Sequence, residues 1–137
     1  MVSRKEWYAR VNAAWPAELP PLTADEAVKA ARKLWRWGLG EKYRSKIEVT
    51  SGNRYTWERY GVLSVNPTST RHGGGWDAFI HDMSHLLWRR ANGRDVKPHE
   101  KGHAKFELSM RKEVLKRGWL SGSLKKEPKP EKPTAVK

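Results

Sequence analysis

Apolar positions along the chain fall into four helical stretches and one interrupted run of alternation. Ser3-Arg4-Lys5-Glu6 is a capping-box pattern, and Trp7, Val11 and Trp15 follow on one helical stripe until Pro16 stops it. Pro20 and Pro21 mark a linker. Thr23-Ala24-Asp25-Glu26 repeats the capping signal. Ala27, Ala31, Leu34 and Trp35 continue at helical spacing, and Gly38 is the expected stop. The pattern then turns to strict alternation. Lys46-Ile47-Glu48-Val49-Thr50 reads as a strand, and Ser51-Gly52-Asn53 is turn chemistry. Tyr55-Thr56-Trp57 and Gly61-Val62-Leu63-Ser64-Val65-Asn66 read as two further strand pieces, the last closed by Pro67. After Gly73, Gly74 and Gly75, a strongly apolar helical pattern runs from Trp76 to Arg90 and ends at Ala91-Asn92-Gly93. Pro98 suits the first turn of a last helix, which reaches Arg117 and stops at Gly118. This order predicts an α+β fold, with a small antiparallel sheet of two to four strands packed against about four helices.

A chain of 137 residues holds one small domain. The expected organisation is an N-terminal helix and Pro linker over 1–22, a main domain over 23–124 and a disordered basic tail over 125–137. That tail holds five Lys, two Glu and three Pro with almost nothing apolar. The full chain has 28 Lys and Arg against 15 Asp and Glu, a formal charge of +13. Without the tail the remainder keeps +10, so the positive field belongs mostly to the folded part. No apolar run approaches the roughly 18 residues of a membrane span, and the N-terminus lacks a signal-peptide centre. No membrane association and a cytoplasmic location are the expectations.

The absence of cysteine removes disulfides, thiolate zinc sites and cysteine catalysis together. Any metal site must use His and carboxylate. All five histidines lie between His72 and His103, and four of them form pairs four residues apart. Such a pair projects both rings from one helical face. His81-Asp82-Met83-Ser84-His85 sits inside the most apolar helix and has the form of the zincin motif, His-Glu-x-x-His, with Asp for Glu. In that chemistry the two His hold Zn2+, and the carboxylate moves a proton between water and the leaving amine. A third ligand is needed. His103 heads a stripe with Phe106, Met110 and Val114, which directs it inward, and Glu107 one turn on is the expected partner of its other ring nitrogen. His99-Glu100-Lys101-Gly102-His103 matches the literal zincin string, but its polar context ranks it second. His99 is retained as an alternative ligand and Glu100 as a substitute for Asp82. Asp82-x-x-His85 and Glu100-x-x-His103 also resemble di-iron motifs, but that fold needs carboxylates from two further helices, and Asp25 and Glu26 sit at a helix start with nothing else apt.

From Thr23 to Arg117 the chain resembles the SprT-like branch of small zinc metallopeptidases. The matching residues are Gly61-Val62-Leu63-Ser64-Val65-Asn66 ahead of the metal helix, His81-Asp82-Met83-Ser84-His85 on it, and His103-Ala104-Lys105-Phe106 with Met110 after it. The resemblance implies a zincin-like fold, one zinc held by His81, His85 and His103, and hydrolysis of a protein or peptide substrate. Asp82 in place of Glu is one methylene shorter. Displacements of about 1 Å can cost ~100-fold in rate.

The basic residues suggest a second partner. Arg36 with Trp37, Arg89, Arg90, Lys105, Arg111 and Lys112 are the candidates for contact with nucleic acid, the cations for phosphate and the indole for an unpaired base. The sequence therefore yields two function readings. One is a zinc-dependent peptidase acting near nucleic acid. The alternative is a non-catalytic basic nucleic-acid-binding protein with a structural zinc or no metal. His72, beside the glycines, has no assigned role.

Overall fold

The computed structural model describes residues 2–16, 18–52, 54–70, 74–93 and 100–120. The fold is α+β. Its elements in chain order are α1 (Arg4–Ala13), α2 (Ala24–Leu39), β1 (Lys46–Val49), β2 (Trp57–Arg59), β3 (Val62–Val65), α3 (Gly75–Asn92) and α4 (Lys101–Arg117). The expected tail over 125–137 and Pro98 lie outside the described residues, and the last helix begins later than Pro98 suggests, at Lys101 after an extended Glu100.

Both expected capping boxes form. Ser3 accepts from the Glu6 N–H and Thr23 from the Glu26 N–H, with each Glu reaching back to its cap. The second helix passes through Gly38 and ends instead at Gly40, whose φ of 76° closes it in the left-handed conformation. Gly38 has a packing reason: a Cβ there would meet Leu87 Cδ1 at 3.0 Å. Ala27, Ala30, Ala31, Leu34 and Trp35 form the buried face of α2, and this mostly small-residue face lies against α3. The third helix is buried nearly all round, at Trp76, from Ala78 through Ser84, and again at Leu86 and Leu87. An all-round apolar helix belongs at the centre of a domain. It packs against α2, α4 and β2, while α1 lies on α4.

The sheet has three strands in the order β1-β3-β2. It is mixed rather than wholly antiparallel: β1 runs parallel to β3, with Ile47 beside Leu63 and Val49 beside Val65. The other pair, β2 with β3, is an antiparallel hairpin. The chain crosses from β1 to the far edge before returning through the middle. Leu63 and Val65 turn into the core, and Val62 and Ser64 face the other way. At the hairpin turn Tyr60 (φ 53°) and Gly61 (φ 75°) are both left-handed, which matches the twist of a two-residue hairpin loop.

The main core joins Leu34, Trp35, Leu63, Val65, Trp76, Phe79, Ile80, Met83, Leu87, Met110 and Val114. Trp15 and Leu22 belong to the same core, so the segment after α1 is anchored to the main domain at these two side chains. The helix α1 itself sits on a smaller cluster of Val11, Ala104 and Leu108, flanked by Trp7, Tyr8 and Ala14.

Gly102 lies where α4 crosses Trp88 of α3, and a Cβ there would meet the indole Cζ2 at 2.8 Å. Helix propensity alone favours Ala over Gly by about 1 kcal/mol. Overpacking costs about 1–3 kcal/mol. Gly102→Ala is expected to give a net loss of about 1 kcal/mol in urea unfolding. A gain in stability shows that Trp88 turns aside without cost.

Candidate functional site

Three of the five histidines meet at the centre of the molecule. His81 and His85 stand one turn apart on α3, and His103 comes from the first turn of α4. The ring centroids lie 4.6 Å apart for His81 and His85, 4.1 Å for His85 and His103, and 5.8 Å for His81 and His103. Three imidazoles on one tetrahedral ion sit with centroids about 5 Å apart, from Zn–N bonds of about 2.0–2.1 Å. The cluster therefore has the right scale for one ion. His99 and His72 lie outside the described residues.

The nitrogen atoms divide into a convergent pair and a third that is turned away. The Nε2 atoms of His81 and His85 are 3.1 Å apart. Two nitrogens on a tetrahedral zinc are separated by about 3.3 Å, so this spacing suits either one shared proton or one shared ion. His103 stacks on His85 at an interplanar angle of 14°, with its Nε2 2.8 Å from Ser84 Oγ and its Nδ1 2.5 Å from the Tyr8 hydroxyl. As the side chains stand, no group of three or more His, Asp or Glu among the described residues is arranged to hold a metal.

A buried charge network backs the pair. His81 Nδ1 is 2.9 Å from Glu107 Oε1, and the other Glu107 oxygen accepts from both Arg111 Nε at 3.0 Å and Nη2 at 2.6 Å. Arg111 also donates to Asp77 Oδ1 at 2.8 Å, which accepts from the Trp15 indole at 2.7 Å. Burial alone raises the Glu107 carboxyl. The His81 hydrogen bond and the Arg111 guanidinium outweigh it and hold the group at about 2, below its usual 4.5. Glu107 is thus an anion at neutral pH and accepts the Nδ1 proton of His81. That leaves the His81 Nε2 lone pair directed at His85, the arrangement seen behind metal-bound histidines. The expected link from Glu107 to His103 is not the one made. Glu107 reaches across to His81 on α3, and His103 takes Tyr8 and Ser84 instead.

Asp82 is buried, and its Oδ2 accepts from the Thr56 N–H at 3.0 Å. Thr56 is fixed in turn, since its hydroxyl accepts from the Asn66 N–H at 2.9 Å. The Asn66 side-chain amide donates to the carbonyls of Gly52 and Arg54. His81, Asp82 and His85 form the floor of a cleft of about 1090 Å³. Residues 54–57 with Arg59 and Tyr60 make one wall, and Arg89 stands on the rim. Glu100, the expected substitute for Asp82, is the exposed residue before α4 and does not line this cleft.

The expected nucleic-acid contacts have unlike surroundings. Arg111 is buried and bound to Glu107 and Asp77, so its role is internal. Trp37 stacks on Phe106 at 5.4 Å and covers the core. Arg90 pairs with Glu58 and lies over Trp35, and Lys105 lies over Trp7. Arg36 and Lys112 are exposed. Arg89 lines the cleft and lies over Trp57. Tyr8 and Ser84 were not among the expected site residues. Ser84 carried a signal, a hydroxyl one turn after His81 on a helix face of ligands. Tyr8 carried none, being 95 residues from the ring it touches.

Compared with models of protein families, with curated proteins and with solved structures, the chain matches none. No helix among the described residues is long and apolar enough to cross a membrane.

Because Glu107 is depressed in the folded state, its contribution to stability is complete above its usual 4.5 and is lost as pH falls towards about 2. Unfolding midpoints measured across that interval should fall with acid, and Glu107→Gln should flatten the slope. At neutral pH the same variant leaves Arg111 less compensated and should lose about 3 kcal/mol. An unchanged acid slope removes Glu107 from the buried charge balance.

Proposed function

We propose that the protein is a zinc-dependent hydrolase of peptide bonds, with His81, His85 and His103 as ligands and Asp82 as general base. The observation that carries this reading is the 3.1 Å approach of His81 Nε2 and His85 Nε2 on the floor of a cleft that Asp82 also lines. The chemistry of the donor set fits the ion. Two imidazole nitrogens converge, Glu107 stands behind His81, and the third ring is stacked on His85 at 4.1 Å. Zinc in this position supplies a Lewis acid that polarises a scissile carbonyl and eases deprotonation of water. Asp82 takes the proton from the attacking water and returns it to the leaving amine. The Thr56 N–H fixes its carboxylate against α3 and the cleft wall. Glu107 keeps the His81 proton on Nδ1, which holds Nε2 ready as a ligand. The cleft wall, residues 54–57 and 59–60, borders an extended substrate laid across the histidines.

Metal analysis of the purified chain should find close to one zinc per protein, and well under one per two chains overturns the reading. With metal bound, Asp82→Asn should lower hydrolysis of an unfolded protein substrate by about 10²–10⁴-fold. Equal hydrolysis removes Asp82 from the mechanism.

One feature of the cleft supports a polyanion close to the substrate. Arg54, Arg59 and Arg89 line it beside Tyr55, Trp57 and Tyr60, and Tyr55 and Tyr60 are 63% and 101% exposed. Cations interleaved with exposed rings suit single-stranded nucleic acid. Binding of a short single-stranded oligonucleotide should weaken steeply with salt and be reduced by Arg59→Ala and Tyr60→Ala. No binding at low salt refutes this part of the reading and leaves the peptidase proposal standing.

A further inference from the structure

The N-terminal helix α1 is joined to α4 by a satellite cluster of its own, yet one of its side chains reaches the innermost histidine. His103 is fully buried, and Tyr8 and Ser84 hold its two nitrogens. Counting protons assigns the direction of each bond. The Ser84 hydroxyl has one proton and donates it to the His81 carbonyl at 2.6 Å. The 2.8 Å contact with His103 is therefore made by the ring donating from Nε2. A ring with a single proton then accepts at Nδ1, and the Tyr8 hydroxyl donates to it. In this tautomer Nε2 has no lone pair to offer a metal.

The partners of His81 and His103 differ in one decisive way. Glu107 is a carboxylate paired with the Arg111 guanidinium and only accepts, so it fixes His81 with the proton on Nδ1 and the lone pair on Nε2. A phenol both donates and accepts. Tyr8 can hold Nδ1 of His103 in either tautomer.

We infer that Tyr8 is the positioning residue of the third metal ligand and that Tyr8, His103 and Ser84 form a tautomer latch on the metal centre. In the latched state Nε2–H is bound to Ser84. In the open state the ring proton sits on Nδ1 and is donated to the Tyr8 oxygen, while the Nε2 lone pair turns from Ser84 to the point shared by His81 and His85. The ring carries one proton throughout, exchanged between its nitrogens through solvent. Tyr8 is the pivot of the change. Metal loading is thereby linked to the seating of α1 on α4. This inference rests on the zinc reading above.

The test compares full-length wild type, Tyr8→Phe and Ser84→Ala. Zinc affinity is measured by competition with a chelator, and the His103 tautomer by nitrogen NMR of the metal-free protein. Tyr8→Phe keeps the ring in the satellite cluster, and thermal unfolding in chelator checks that it folds. It should bind zinc about 10–100-fold more weakly, the usual effect of losing a partner behind a ligand. Its His103 should also lose the single Nε2–H tautomer. Ser84→Ala removes the competing acceptor, so it should bind zinc more tightly than wild type. These opposite signs are not expected of two merely structural residues. If both variants bind zinc within twofold of wild type while His103→Ala abolishes binding, the latch is overturned and the metal reading stands. A wild-type chain that takes no zinc overturns both.

Discussion

The Glu107 carboxylate is the constraint on which the centre of this fold depends. It is an anion in a water-excluded place, and two groups make that tolerable: the His81 Nδ1–H on one oxygen and the Arg111 guanidinium on the other. Arg111 is itself buried and leans on Asp77, which also receives the Trp15 indole. The network thus ties the segment after α1, the start of α3 and the middle of α4 into one polar seam through an otherwise apolar core. Such a seam brings little net stability over a well-packed hydrophobic alternative. Its effect here is to specify geometry. It sets the angle of the His81 ring, and through it the approach of His85.

Much of this arrangement was legible in the sequence, because local signals and global packing agree. The two capping boxes form where Ser3 and Thr23 place them. The stripe of His103, Met110 and Val114 turns inward as its spacing implies, and all three are buried. The histidines at 81, 85 and 103 do come together. What pattern could not supply was orientation at the ends of side chains. Glu107 lies one turn from both His103 and Arg111, and only the packing of α3 against α4 decides that its other partner is His81. Sequence alone offers Arg111 as a cation for phosphate and Trp37 as an indole for an unpaired base. Each is claimed by a neighbour from a distant element, Asp77 in one case and Phe106 in the other.

The sheet teaches the same lesson about topology. Three short strand signals in a row suggest a meander with all pairs antiparallel. Here the middle segment becomes the edge, and the third strand inserts beside the first in parallel. The Asn66 side chain makes this path workable. It caps the carbonyls of Gly52 and Arg54 and accepts from Thr68, so the crossing loop is held by side-chain bonds where no ladder exists. A single buried amide substitutes for strand pairing in the stretch that borders the cleft.

That substitution has a mechanical consequence. The wall of the cleft is attached to the central helix through the Thr56 N–H and one oxygen of Asp82. The same wall is held to that helix twice more, by the ion pair of Arg90 with Glu58 and by Arg89 over the Trp57 ring. The rim of the cleft is therefore carried on the one helix that also presents His81, Asp82 and His85, so wall and floor are built on a single rigid element.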